Sequence, residues 1–276
     1  MRFLRIITPI LAILVFVVAV YLEIDNYERR VGPVIEMRDA TIETIEASID
    51  TTDEELAALV KAFDDKDGDI SANVVVEHKN YFFEKGLSII TFSVCDSDNN
   101  VSKISKNIRY VDYTSPKIEV YSDLIYMVSS NERISSYFKV NDVFDGDISS
   151  RLKIVSTDFN KNIPGEYSVN CKVTNSFGDT QEMAFPIVIE PQTKVNTKIY
   201  LKQYFVYLKT GETHDFAQYI DSVESESDYG YDIHNIKINT EGFDNSKPGV
   251  YPIDFTITAN NKTVARTRMF AIIEGE

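Results

Sequence analysis

Tryptophan is absent from this 276-residue chain, and cysteine and histidine scarcely occur, with two and three copies. His78, His214 and His234 stand far apart with no Cys, His or Glu at ligand spacing around them, so no zinc centre is expected. Cys95 and Cys171 fall in different segments of the chain, so no intramolecular disulfide is expected, and Cys171 reads as a small buried hydrophobe. The lack of tryptophan weakens a sugar-stacking surface without removing it, because tyrosine and phenylalanine occur 16 times each.

Positive charge is also short. Lys and Arg number 28 against 43 Asp and Glu, a net charge of −15, and Arg2 and Arg5 lie at the amino terminus, so the remainder is more acidic still. Affinity for nucleic acid comes from neutralising phosphates with Lys and Arg, so nucleic acid is excluded as a partner. An anionic membrane surface is excluded on the same ground, whereas cations are admitted. No Gly-x-Ser-x-Gly or other nucleophile motif is present. Carboxylates are abundant, but paired-acid catalysis needs a cleft that sets their separation. No enzymatic activity is expected.

Long apolar runs are absent but for one. Ile6 to Leu22 carries no charge, Arg2 and Arg5 precede it, and Glu23, Asp25 and Glu28 follow. The run approaches the ~20 residues a helix needs to cross hydrocarbon. The flanking charges place the amino terminus in the cytoplasm and the bulk outside. The rival reading is a cleaved signal peptide, although Val17 to Tyr21 offers no Ala-x-Ala cleavage site. The expectation is therefore a cytoplasmic tip and single-pass plasma-membrane anchor over 1–22, with a juxtamembrane linker over 23–32.

What the chain does have is a repeat. Asp67-Gly68-Asp69-Ile70-Ser71 recurs as Asp145-Gly146-Asp147-Ile148-Ser149. Each copy is followed by a glycine, Gly86 or Gly165, and then an apolar run. Gly249 opens a third such run. Tyr167, Val169, Cys171 and Val173 alternate with polar residues, as do Tyr251, Ile253, Phe255 and Ile257. That period of two is a half-buried strand. A last apolar strand is expected over 104–111, 183–189 and 266–273. Turns before these contain Asp98-Asn99-Asn100, Gly178-Asp179 and Asn260-Asn261, residues that accept left-handed backbone. The three glycines divide the chain into segments of roughly 80 residues. Thr52 with Glu55 forms a capping box, which predicts a short helix at about 53–62.

The order Pro-x-Ile, Asp-Gly-Asp-Ile, Gly-x-Tyr-x-Val and a final strand resembles the bacterial immunoglobulin-like repeats of surface proteins, the type also found in pesticidal crystal proteins and hyalin-like repeats. Pro33-Val34-Ile35 and Pro116-Lys117-Ile118 begin the first two copies. The third matches only in its Pro-Gly-x-Tyr half. The resemblance implies an extracellular, all-β module acting as a spacer or adhesive part. The expected fold is all-β, with three tandem immunoglobulin-like sandwiches over 33–112, 116–190 and 197–274 after the anchor helix.

Two surfaces are candidates for chemistry. Asp64, Asp65, Asp67 and Asp69 crowd one loop, and Asp142, Asp145 and Asp147 crowd its repeat. Crowded carboxylates suit calcium, which takes six to eight oxygens. Here, however, glycine lies between the aspartates and the distal glutamate of a calcium loop is missing. The alternative is a structural turn in which an aspartate caps backbone N–H groups, glycine takes the strained angle and isoleucine plugs the core. The second surface is the acidic loop of the third repeat, with Glu224, Glu226, Asp228, Tyr229 and Tyr231. It is a ligand-surface candidate, as recognition tends to reside on loops over a rigid scaffold. The stretch Tyr200, Tyr204, Phe205, Tyr207 reads either as a covered strand or as a sugar-stacking face. The resulting expectation is a membrane-anchored stalk or adhesion module. The alternative is a wall or exopolysaccharide reader working through the third repeat.

Overall fold

The computed structural model describes residues 4–28, 31–131, 133–158, 160–191, 197–226 and 230–275. The chain divides into two compact units, Met1–Tyr113 and Thr114–Glu276. Both are built from strands, as the alternation required.

In the first unit, α1 (Leu4–Glu28) precedes a sandwich. Its small sheet pairs β1 (Val34–Met37) with β3 (Val60–Asp64) and β4 (Gly68–Asp69). Its larger sheet runs in the order β2 (Thr44–Ala47), β7 (Val101–Tyr110), β6 (Leu87–Cys95), β5 (Val75–Lys79). Ile90, Phe92 and Ile108 from the larger sheet and Val60 from the smaller are fully buried between the layers. The capping box is present: Thr52 Oγ1 accepts from the Glu55 amide, and Glu55 Oε2 accepts from the Thr52 amide.

The helix it caps, α2 (Asp53–Ala57), is shorter than the span expected at 53–62. At helical spacing Leu56, Leu59 and Val60 would share one face. In the fold Val60 instead opens β3, where Val60, Ala62 and Asp64 alternate inward. A β-branched residue followed by a period of two favours the strand.

Among the described residues no helix is long and apolar enough to cross a membrane. The span expected over 1–22 is thus not supported among the described residues.

The second unit holds the second and third repeats. In the second repeat, β8 (Lys117–Val120), β10 (Phe138–Asp142) and β11 (Gly146–Asp147) form the small sheet. The larger sheet is ordered β12 (Lys153–Thr157), β13 (Gly165–Thr174), β14 (Thr180–Glu190), β9 (Ile125–Met127). In the third repeat β15 (Thr197–Leu201) pairs with β17 (Ile220–Ser225). Its larger sheet is ordered β16 (Phe205–Leu208), β20 (Lys262–Ile273), β19 (Gly249–Ala259), β18 (Lys237–Asn239). Each repeat thus places its second strand parallel to its last: β2 on β7, β9 on β14, β16 on β20.

Three separate domains are not what the fold shows. Phe270 and Ile272 of the third repeat are buried in one cluster with Ile118, Val169, Cys171, Phe185 and Ile187 of the second. The Phe185 and Phe270 rings meet edge-on, 5.7 Å between centroids. Apolar surface on β20 and β16 is covered by the neighbouring sandwich rather than by solvent, which stabilises the pair as one body.

Candidate functional site

The repeated Asp-Gly-Asp-Ile-Ser segments fold as near-identical turns. Gly68 and Gly146 take φ of +75° and +67°, which a side chain disfavours. Asp64 Oδ1 accepts from the Lys66 and Asp67 amides, as Asp142 Oδ1 does from Phe144 and Asp145. Asp69 accepts from the amide and hydroxyl of Ser71, and Asp147 from those of Ser149. Those serine hydroxyls in turn accept from the amides of Ala62 and Val140. Ile70 and Ile148 are buried, 7% and 2% exposed.

The middle aspartate fastens this turn to the distant hairpin. Asp67 accepts from the amide of Ser97 at 2.7 Å and its hydroxyl at 2.8 Å. Asp145 accepts from the Ser176 amide at 2.7 Å and from Arg151 at 2.5 Å. Within the hairpin, Asp96 and Asn175 play one part, each taking two amides of its own turn on Oδ1. Bonds from the backbone and side chain of Ser97 hold the Asp67 carboxyl below its ordinary value. Burial works against Asp145, but bonds from Ser176 and Arg151 outweigh it and lower its value too. Among the described residues no three His, Cys, Asp or Glu side chains are placed to hold a metal ion. The carboxylate oxygens of these turns accept from backbone amides, serine hydroxyls and Arg151. Asp65 is exposed on the outside of its loop.

The acidic loop disperses. Asp228 and Tyr229 lie outside the described residues. Glu226 is exposed, Glu224 accepts from the Tyr200 hydroxyl at 2.8 Å, and Tyr231 packs against the third-repeat core. The aromatic stretch divides as well, because β15 ends at Leu201 and β16 starts at Phe205. Phe205 and Tyr207 pack on the second-repeat cluster, while Tyr200 and Tyr204 turn elsewhere.

They turn into an open cleft of about 1230 Å³ at the junction of the second and third repeats. Asp123, Tyr126 and Glu190 line it from the second repeat. Tyr200, Tyr204, Tyr231, Lys198, Lys262 and Arg266 line it from the third. Leu124, fully buried, takes φ of +53°, a left-handed angle costly for leucine, and its neighbours on either side, Asp123 and Ile125, line the cleft. Asp123 accepts from the Ile125 amide at 3.2 Å and from the Thr267 hydroxyl across the junction at 3.3 Å. Burial pushes the Asp123 carboxyl above its ordinary value, against the pull of these bonds. Arg266 and Arg268 close the adjoining edge: both bind Asp254, at 2.6 and 2.7 Å, and lie 3.8 and 3.7 Å from Glu166 of the second repeat. Sequence reasoning had singled out Tyr200, Tyr204, Glu224 and Tyr231 but not Asp123, Tyr126 or Lys262. Nothing in a sequence of strands signals which strand ends will face each other across a junction.

No family model matches the chain. It is similar to the pesticidal crystal protein Cry22Aa of Bacillus thuringiensis, 27% identical over 237 residues, covering 82% of this chain and 31% of that protein. The chain therefore spans about a third of that relative's length. Among solved structures, the CBM51-2 and INT domains of Clostridium perfringens ZmpB in complex with GlcNAc align at 17% identity and a TM-score of 0.23. That alignment covers 55% of this chain and 26% of the other. The human desmocollin-1 ectodomain aligns at 12% identity and a TM-score of 0.18, covering 78% and 52%. Scores in this range do not establish a common fold.

Proposed function

We propose that the chain is a non-catalytic extracellular interaction module, a bacterial surface spacer or adhesion part of the immunoglobulin-like repeat kind. The observation that carries this reading is the shared cluster of the second and third repeats, with Phe270 and Ile272 buried among second-repeat side chains. Such a join gives a rigid presenting body, where isolated sandwiches on linkers would flex. The acidic composition fits a soluble outward-facing surface. Attachment to a membrane through α1 is part of the proposal. It is supported by apolar side chains exposed at consecutive positions Ile13, Leu14, Val15, Phe16, Val17 and Val18, which leave no polar face.

The test is topological. The full chain, tagged after Glu276, is produced in a bacterium, and protease is added to intact cells. The reading expects the tag to be lost while an amino-terminal fragment stays with the membrane. A tag protected in intact cells, or a chain found wholly in the soluble fraction, contradicts it.

A further inference from the structure

We infer that Asp123 makes the joint between the second and third repeats a pH-responsive lock, which tightens when its carboxylate takes up a proton. The inference goes beyond the interaction-module reading and rests on the shared core alone. Asp123 precedes Leu124, whose left-handed backbone at φ +53° is held by a fully buried side chain in the cluster both repeats share. The Asp123 carboxyl is thereby fixed at the joint, half-buried. Its Oδ1 turns back on its own chain, accepting from the Ser122 hydroxyl at 3.3 Å and the Ile125 amide at 3.2 Å. Its Oδ2 crosses the joint to accept from the Thr267 hydroxyl at 3.3 Å, and Thr267 is only 2% exposed.

These bonds are long. A hydroxyl donating to a carboxylate ordinarily lies at about 2.5–2.7 Å. The chain reaches that elsewhere, with Ser71 on Asp69 at 2.6 Å and Ser149 on Asp147 at 2.5 Å. Those two carboxyls sit below their ordinary value, whereas burial outweighs the weaker bonds at Asp123 and holds it above. No cation makes up the deficit. Lys198, Lys262 and Arg266 line the same cleft, but Arg266 is held by Asp254 at 2.6 Å, and none of the three forms an ion pair with Asp123. Tyr204, between β15 and β16, faces the group: burial and then the Asp123 charge raise its hydroxyl above the ordinary value, so it stays neutral. The other titratable groups of the lining are Glu190, Tyr126, Tyr200 and Tyr231.

Ionised, Asp123 is a charge that the joint compensates poorly, and burial opposes it. Protonated, it gains an O–H that can donate to the Thr267 oxygen across the joint, and the desolvation penalty of the charge is gone. The open cleft admits water to the carboxyl, so solvent supplies and removes the proton without unfolding. The folded value lies above the unfolded one. The contribution is therefore fully present below the ordinary 3.8 and is lost as pH rises through the raised value. Its sign is opposite to that of Asp67 and Asp145, whose values are lowered.

The test is urea unfolding of the full chain at about pH 7 and about pH 4.5, with each variant read against the parent at the same pH so that the other carboxylates cancel. Asp123→Asn, a neutral match in shape, is expected to raise the unfolding midpoint at neutral pH and to lose most of that gain in acid. Thr267→Val keeps the volume and removes the hydroxyl. Its loss is expected to be larger at neutral pH than in acid, because the ionised carboxylate depends more on that donor. Glu190→Gln removes a charge from the same cleft but none from the bond across the joint, and is expected to show no such gain. An Asp123→Asn midpoint that falls at neutral pH, a gain of equal size at both pH values, or the same pH-dependent gain from Glu190→Gln overturns the inference.

Discussion

The Tyr207 hydroxyl accepts from the Ile118 amide at 2.8 Å and donates to the Ile118 carbonyl at 2.9 Å, so one side chain of the third repeat satisfies both backbone groups of a residue in the second. Ile118 is itself fully buried. Lys117 lies 4.8 Å over the same ring and 3.8 Å from Glu274, closing the outer side. Burial pushes the Tyr207 hydroxyl far above its ordinary value, so it stays a neutral donor and acceptor at every physiological pH.

Tyr207→Phe leaves the Ile118 amide and carbonyl without that partner while keeping the ring. An unsatisfied buried group costs about 1–3 kcal/mol. Urea unfolding of the variant is expected to show a loss in that range, confined to the transition of the second unit.

Ile148 plugs the core beneath its turn at 2% exposure. Ile148→Ala is expected to cost about 2–5 kcal/mol, whereas Asp145→Asn, which keeps the shape and one acceptor, costs less. A ranking with Asp145→Asn as the larger loss, measured by the same unfolding curves, would mean the aspartate does more than fasten a turn.

Acid is expected to loosen both turns. Asp67, Asp69, Asp145 and Asp147 all sit below the ordinary carboxylate value of 3.8. A folded-state value below the unfolded one contributes stability that is fully present above the unfolded value and is lost as pH falls through the folded one. The melting temperature should thus be flat near neutrality and decline below about pH 4. Asp67→Asn with Asp145→Asn should decline less. Calcium or a chelator at pH 7 should shift neither protein. A large calcium-dependent rise would return these loops to the metal-site reading.

The two thiols should differ in reactivity. Cys95 is exposed, and Cys171 is buried with burial raising it to about 12. The thiolate is the reactive form. Ellman's reagent is expected to modify one thiol per folded chain and both in denaturant, with Cys95→Ser abolishing the folded-state reaction.

Much of this fold is legible in the sequence because the signals are local. Thr52 and Glu55 announce their cap, Asn99 and Asn260 their hairpins, where φ is +67° and +50°, and Tyr167 to Val173 its strand. The Asp-Gly-Asp turns are local in the same sense, as Asp69 and Asp147 bond two residues onward. What escaped is long in range. No pattern at Ile125–Met127 says that it will lie parallel to Val188–Glu190, since parallel partners share no turn. Nor does Phe270, one apolar residue in an apolar strand, show that it will be covered by Phe185 of another repeat. The cleft inherits that blindness: Tyr126 and Tyr200 line one depression only because the repeats are joined as they are.

The most direct test of that join is native-state hydrogen exchange on the full chain with Phe270→Ala, a substitution expected to cost about 3–5 kcal/mol. If the second and third repeats are one cooperative body, amides of β13 (Gly165–Thr174) lose protection together with those of β19 (Gly249–Ala259). If β13 keeps its full protection while β19 and β20 open alone, the two repeats are independent sandwiches in contact, and the account of a single presenting body fails.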